Sequence, residues 1–518
     1  MENYKGGEKI KKQAIIILIT LSFALMFAGA VSAEDSSSTT ILDDQNSNSY
    51  PADTTSTENT AQSTALPDPR VVRGGTVVYT STTIQDAVNH AIDGDTIEVD
   101  PGTYNENILV NKRLTIFPTG AGTATVTSFM ITTPGSDSII QGFTINNPTG
   151  IGVDINSADN CQILRNTISG SLIAVQISGN NNYIHDNTLN GVTDPSGNSE
   201  TVILGNAADN VISKNIITAA GSSDAYGIWL NTAADHNTVA ENTITVIGTP
   251  TSGAYGILIG DSHNLIVGNI LSVISTSTAA YGMYIDTVNG NYISENSITA
   301  RTGIYSLSPD NRINFNRIIS TNEAISLLSS GTLDAQYNWY GSNADPSSKI
   351  FNGRGHTVNY SPWLIMTVTA SPTTIHTGGT STITADFTHD SAGGVHPATE
   401  HFPDKIPVTF TTNLGTINNP GETLNGKATA TLTAGSTPGV ATASAALDSQ
   451  APIPTSVNIA NQVNAGTYTY TVKVRYKKGW YKSWRKKWFK SHGKWKYKWR
   501  YKWKYGWLYH TVTRTSTR

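Results

Sequence analysis

One six-residue phrase returns down the middle of this chain: Ile163-Leu-Arg-Asn166-Thr-Ile168, Ile184-His-Asp-Asn187-Thr-Leu189, Ile212-Ser-Lys-Asn215-Ile-Ile217. It continues as Val239-Ala-Glu-Asn242-Thr-Ile244, Ile266-Val-Gly-Asn269-Ile-Leu271, Ile293-Ser-Glu-Asn296-Ser-Ile298 and Ile313-Asn-Phe-Asn316-Arg-Ile318. Ile140 to Ile145 is a copy without the asparagine, and Ala335 to Tyr340 is an aromatic variant. The asparagines stand 20 to 28 residues apart, so the segment is a repeat array. Apolar residues five apart fit neither a straight strand nor a helix. One left-handed residue within a bent strand restores the parity, and asparagine tolerates that conformation. A second strand follows the phrase, as in Tyr226-Gly-Ile-Trp-Leu230, Tyr255-Gly-Ile-Leu-Ile259 and Tyr281-Gly-Met-Tyr-Ile285. Strand, Asn bend, strand, turn and strand predict one rung of a parallel β-helix. Rungs stack at ~4.8 Å, with their asparagines in a ladder. An array of β-hairpins would instead need Asn-Gly or Gly-rich two-residue loops, which are scarce here.

At 518 residues the chain exceeds one ordinary domain. Lys5, Lys9, Lys11 and Lys12, the apolar run Ala14 to Ala30 and the small residues Val31-Ser-Ala33 predict a secretory signal peptide over 1–33. The apolar run is short for a membrane span, so no retained span is expected, and the protein is expected to be secreted or held at the cell surface. Cys161 is the sole cysteine, which excludes an internal disulfide and points to a structural role. Residues 34–70 are rich in Ser, Thr, Asn and Pro and are expected to be a disordered linker. Ile84, Ala87, Val88 and Ala91 then fall at helical spacing. A short helix there would plug the open first rung, which would otherwise recruit strands.

Thr83-Ile-Gln-Asp-Ala-Val88 and Pro101-Gly-Thr-Tyr-Asn-Glu106 resemble the opening of right-handed parallel β-helix proteins of the pectin-esterase and pectate-lyase type and of related carbohydrate-associated repeats. Tyr337-Asn-Trp-Tyr-Gly-Ser-Asn-Ala-Asp-Pro346 with Val358-Asn-Tyr-Ser-Pro-Trp363 resembles their closing motif. The resemblance implies a right-handed β-helix over 71–363. Beyond it, Thr382 to Phe387, Ile406 to Thr411 and Ala428 to Leu432 alternate as strands of a small sandwich. Ile406 to Ile417 and Leu424 to Leu432 resemble invasin-type immunoglobulin-like domains, which implies a spacer or presenter over 364–460. Residues 461–518 form a basic, aromatic tail. Lys473 to Arg518 holds 17 Lys/Arg and no Asp/Glu, against 13 Lys/Arg and 36 Asp/Glu between Glu34 and Tyr470. Seven of the ten tryptophans lie in this tail. From Lys494 to Tyr505 cations and aromatics alternate strictly, so an extended strand sorts them to opposite faces. The expected architecture is all-β: β-helix, immunoglobulin-like sandwich, tail.

Enzymes of the pectin-esterase type would imply two aspartates and an arginine, but the downstream Asp-Phe-Ile-Phe-Gly and Gly-Arg-Pro-Trp segments are missing. Pectate lyases would imply clustered acids for calcium and a base. Arg165, Asp186, Lys214 and Glu241 precede the ladder asparagines and read as a surface charge column. Asp159, Asp209 and Asp235 close turns, with Asp261 nearby, and stacked carboxylates at Asp209, Asp235 and Asp261 could hold calcium or cap the turns through their own backbone; the capping role is expected. His185, His236 and His263 are not expected to share a register. His389, His396, Glu400, His401 and Asp404 crowd one loop at zinc-like spacing without a ligand pair on a rigid element, so no metal site is expected.

Binding has more support. Trp229 should point outward with Leu258, Tyr284 and Tyr305 in the same column, a platform for sugar rings unless the loops Thr218 to Ala225 and Thr245 to Ala254 cover it. In the tail, Trp495, Tyr497, Trp499, Tyr501 and Trp503 with Lys496, Lys498 and Arg500 suit single-stranded nucleic acid. The export signal favours an anionic cell-wall polymer or glycan instead. The whole order resembles adhesin-like surface proteins of archaea and bacteria, methanogen types included. That implies a non-enzymatic protein binding carbohydrate, another surface polymer or surface proteins of other cells. The alternatives are an exported lyase, esterase or epimerase acting on uronic-acid polymers, and a purely structural wall component.

Overall fold

The computed structural model describes residues 68–192, 197–353, 355–462 and 467–517; the expected signal peptide and nearly all of the linker lie outside them. The recurring phrase folds as a rung. Its first strand is short, as in Gln162–Leu164, Tyr183–His185, Val211–Ser213, Thr238–Ala240 and Leu265–Val267, and these pair in parallel and in register within a 14-stranded sheet. After the asparagine come strands such as Ile216–Ala220, Thr243–Ile247 and Ile270–Ile274. A turn leads to Ala225–Leu230, Ala254–Ile259 and Ala280–Ile285, and both series stack in a second sheet of 19 strands. Ile163, Ile184, Ile212, Val239, Ile266, Ile293 and Ile313 line one unbroken core with Ile168, Leu189, Ile217 and Ile244.

The asparagine ladder is real, but the bend belongs to another residue. Positive φ falls on the residue just before each asparagine: Arg165 (53°), Asp186 (56°), Lys214 (55°), Glu241 (56°), Gly268 (67°), Glu295 (59°), Phe315 (60°) and Tyr337 (60°). The asparagines are buried instead. Each Asn N–H donates to the Oδ1 of the next asparagine at 2.8–3.0 Å, through Asn166, Asn187, Asn215, Asn242, Asn269, Asn296, Asn316 and Asn338. Each Nδ2 donates to a carbonyl of the preceding rung, as Asn242 does to Ile212. Burying an amide demands that its hydrogen bonds be made, so the residue before it takes the left-handed turn, at least partly solvent-facing on most rungs and buried at Phe315. In the copy lacking asparagine, Phe143 occupies the site and its N–H donates to Asn166 Oδ1.

A second ladder, unforeseen in the repeat, runs through Asn182, Asn210, Asn237, Asn264, Asn291 and Asn311 at the next corner, with N–H to Oδ1 distances of 2.8–3.0 Å. Cys161 holds the first place in it, its N–H donating to Asn182 Oδ1. The thiol is fully buried, and burial pushes it up to about 11, so it is a packed structural residue.

The predicted helix is Ile84–His90, with Thr83 Oγ1 accepting from the Asp86 N–H and with Ile84, Ala87 and Val88 buried. Glu106 completes its start: its two carboxylate oxygens accept from the N–H groups of Ile84 (2.9 Å) and Gln85 (2.8 Å). The Gly-Thr-Tyr-Asn-Glu turn is therefore a cap for the plug. A hairpin of Arg70–Arg73 and Thr76–Thr80 also covers the first rung, antiparallel to Thr96–Val99, with Arg70 on Asp100 and Arg73 on Asp95.

Beyond Trp363 the pairing turns antiparallel, except that Thr374–His376 runs parallel to Ile453–Ala460. Leu364–Ser371, Thr380–Asp390, Lys427–Thr433 and Gly421–Leu424 form one run, and Pro407–Thr412, Gly439–Ala446 and Ile453–Ala460 another. Alternate residues bury Ile383, Phe387, Val408, Phe410, Leu432, Ala443 and Val457 in one core. That core also takes Phe315 and Trp339 from the rod. Trp339 meets Phe387 edge-on at 5.4 Å and gives its Nε1–H to Asp448 Oδ2 at 2.7 Å. Arg317 pairs with the same carboxylate. The resemblance to a closing motif thus corresponds to a joint between rod and following region.

The tail pairs with itself. Thr467–Ser491 and Lys494–Thr517 form an antiparallel hairpin turned by His492 (φ 50°) and Gly493 (φ 76°), the left-handed pair that two-residue hairpin loops require.

Candidate functional site

Each strand of the Ala225–Leu230 type reads out, in, in, out. Tyr226 and Trp229 face solvent while Gly227 and Ile228 between them are buried. The same holds in Ala254–Ile259 and Ala280–Ile285. Glycine makes this possible. A Cβ on Gly256 would lie 2.3 Å from the Gly282 carbonyl oxygen, and one on Gly227 would lie 2.6 Å from that of Gly256. Two outward columns result. Trp229, Leu258, Tyr284 and Tyr305 pair rung to rung as expected, and beside them run Tyr226, Tyr255 and Tyr281. The second column was legible only as a recurring Tyr-Gly; strand parity alone would have sent those tyrosines inward.

The rings contact one another. Tyr226 and Tyr255 stack at 4.8 Å and 8°, Tyr284 and Tyr305 at 5.2 Å and 14°, and Tyr226 and Trp229 at 5.2 Å and 22°. Ring faces between rungs are therefore occupied by other rings, and the stripe shows solvent edges and hydroxyls. The loops ending at Asp224 and Gly253 border the stripe without closing it, and every ring stays partly exposed. Asp224 joins the two loops: it accepts from Tyr226 Oη (3.1 Å) and from the Gly253 N–H (2.7 Å). Burial pushes Tyr255 up to about 12 and also raises Tyr226, Tyr281, Tyr284 and Tyr305. All are neutral hydroxyl donors at pH 7, on an apolar base suited to sugar hydroxyls.

The metal candidates come apart. Asp209, Asp235 and Asp261 stand one, two and three residues before their ladder asparagines, Asn210, Asn237 and Asn264, so their carboxylates do not stack. Asp261 accepts from the Ala234 N–H, and Asp159 from that of Asn180, as turn caps do. His236 and His263 do share a register, contrary to expectation, with rings stacked at 5.2 Å; His185 sits at the other corner, beside Asp186. The zinc-like loop is spent on the joint. Glu400 accepts from Tyr292 Oη at 2.8 Å and lies 3.6 Å from Arg312, while His396 bonds Asp390 and packs on Tyr337. Among the described residues no three His, Cys, Asp or Glu side chains gather as a metal site would need. Within the charge column, Arg165 bonds Gln141 and Asp186 bonds His185.

The hairpin sorts its aromatics as the alternation predicts. Trp495, Tyr497, Trp499, Tyr501 and Trp503 share one face, and Lys496, Lys498 and Arg500 the other. What the sequence reading missed is the facing strand, which adds Trp480, Trp484 and Trp488, and Lys482, Lys486 and Lys490, to the aromatic face.

Residues 129–271 match the family model described as the right handed beta helix region. This part of the chain is a right-handed β-helix. Over 100 residues the chain is 35% identical to a cell surface glycoprotein of Methanothermus fervidus, a match covering 18% of this chain and 17% of that protein. Among solved structures, the Yersinia pseudotuberculosis adhesin InvE is 31% identical, over 21% of this chain and 29% of that one, with a TM-score of 0.16. The Dettilon tailspike protein is 13% identical, over 68% of this chain and 90% of that one, with a TM-score of 0.35. Among the described residues no helix is long and apolar enough to cross a membrane.

Proposed function

We propose that this chain is a non-enzymatic, carbohydrate-binding protein of a cell surface. The β-helix presents the tyrosine-rich stripe to a glycan, the region from Leu364 to Ala460 serves as an invasin-type immunoglobulin-like spacer, and the tail holds the protein to its envelope. The observation that carries the reading is the stripe: seven outward apolar and aromatic side chains on adjoining rungs, Tyr226 to Tyr305, partly exposed and edged with hydroxyls. The likeness to a cell surface glycoprotein supports the location. A glycan array with the full chain tests it. Binding to uncharged glycans should be lost in Trp229→Ala and Tyr284→Ala with the β-sheet circular dichroism unchanged; equal binding of these by both variants sinks the stripe.

One observation favours the enzymatic alternative, action on uronic-acid polymers. Asp154 lies on the outward column that leads through Gln176 and Ile203 to Trp229. Burial holds its carboxyl above the usual range, as a general acid needs. Shortened chains or unsaturated uronides released by the wild type, and absent with Asp154→Asn, would establish that reading.

A further inference from the structure

The hairpin sorts its side chains with a period of four. On the aromatic face, directly opposite pairs alternate: Trp480 with Tyr505, Lys482 with Trp503, Trp484 with Tyr501, Lys486 with Trp499, Trp488 with Tyr497, Lys490 with Trp495. The Trp–Tyr pairs meet at 5.0–5.5 Å, steeply inclined. Between them Lys482 Nζ lies 4.6 Å from the centre of the Tyr501 ring, and Lys486 Nζ 4.5 Å from that of Tyr497. The rings remain open to solvent, Trp480 at 64% and Trp495 at 68%. The other face sets Arg485 opposite Arg500 and Lys487 opposite Lys498. Like charges directly opposite weaken a ladder, and a lone two-stranded hairpin is marginal in water. No Asp or Glu lies between Thr467 and Thr517 to relieve them. The hairpin lacks two things, counter-charge and a cover for its rings.

We propose that the aromatic face binds a linear uronate-bearing polysaccharide, and that this polymer sets the hairpin. The proposal rests on the envelope reading above for its class of partner and adds the ligand chemistry and the face. Sugar ring faces cover the Trp–Tyr pairs, where apolar C–H groups meet exposed rings. Carboxylates reach Lys482, Lys486 and Lys490, which stand at every second pair and offer single-point charges. The opposite face, mostly cationic and without tryptophan, draws the polymer in at long range and makes no choice among polyanions. A polyphosphate has no ring faces to lay on tryptophan, so the aromatic face discriminates against it.

The test is a titration of the full-length protein with polygalacturonate, fully methyl-esterified polygalacturonate, inorganic polyphosphate and oligo-dT, followed by tryptophan fluorescence and circular dichroism. Polygalacturonate should bind best, shift the tryptophan emission and increase the strand signal. The triple variant Lys482→Gln, Lys486→Gln, Lys490→Gln should lose roughly tenfold for polygalacturonate and change polyphosphate binding by less than about twofold. Neutralising Arg485, Lys487, Lys498 and Arg500 with glutamine should weaken both polymers in parallel and flatten their salt dependence. Arg165→Gln, on the rod and outside the stripe, should leave polygalacturonate binding unchanged, and the glycan array of the stripe variants is read separately, which separates failure here from failure of the stripe. Equal affinity and equal tryptophan response for polyphosphate would reduce the tail to a plain polycation. Tightest binding by oligo-dT would make it a nucleic-acid site, and two variant sets that behave alike would remove the assignment of faces. Any of these overturns the proposal.

Discussion

At Asn242 one side chain ties three rungs together. Its Oδ1 accepts from the N–H and Nδ2 of Asn215, and its Nδ2 donates to the Ile212 carbonyl and to Asn269 Oδ1. Asn242→Leu should lower stability by about 2–4 kcal/mol, because it strands buried donors and acceptors. Glu241→Gly, one residue earlier at φ 56°, should change it by less than about 1 kcal/mol, since glycine takes that conformation freely. Urea midpoints compare the two, and equal losses would mean the amide ladder does not carry the rung. The recurring asparagine was plain in the sequence. Which residue bends was not, because propensity favours asparagine in the left-handed region and only burial of the amide forbids it that place. Asp154 offers a pH test. Its Oδ1 is buried without a hydrogen-bond partner, and burial raises its carboxyl. A raised acid binds its proton more tightly when folded. The penalty is therefore absent below the unfolded value, grows as pH rises through the window up to the raised folded value, and is full above it. Asp154→Asn should stabilise at pH 7 by up to about 1 kcal/mol, and the gain should vanish below the ordinary carboxylate range in a series of melting curves.

Among the elements, the plug helix was legible from Ile84, Ala87, Val88 and Ala91 because helical spacing is local. Its cap was not. Glu106 reaches the helix start from 22 residues on, and nothing in a local pattern names a partner that far away. Glu106→Ala should cost about 1–2 kcal/mol by leaving two helix-start N–H groups open, while Glu106→Gln should recover part of it through its one remaining carbonyl acceptor. Thermal unfolding of the two variants decides this, and identical melting would deny the cap. The tail shows the same limit in reverse. Alternation from Lys494 to Tyr505 announced a strand with two unlike faces, yet not its mate, because Trp480, Trp484 and Trp488 recur at intervals of four, a spacing that suits one face of a helix as well as one face of a strand, and only their placement opposite Tyr505, Tyr501 and Tyr497 decides between them.

At the scale of the molecule, rod and following region share one core through Trp339 and one carboxylate through Asp448. Trp339→Ala should cost about 3–5 kcal/mol through the cavity it leaves, and Asp448→Ala a similar amount by stranding the Arg317 cation. The expected calorimetric result is a single main transition for the two regions in the wild type and two resolved ones in either variant. A single transition in all three proteins would mean that the joint does not couple them. The sequence by itself determined the repeat, the stacking of its asparagines, the inward isoleucines, the helical plug and the two-faced tail, because each is written in spacing within one or two rungs. Tertiary structure alone decided that a neighbour bends for the asparagine, that Asp209, Asp235 and Asp261 fall out of register, that His396 and Glu400 serve the joint, and that tyrosine rings close on one another. Those outcomes depend on which side chains meet across rungs, and a one-residue difference in turn length moves a carboxylate out of a column without disturbing any local pattern.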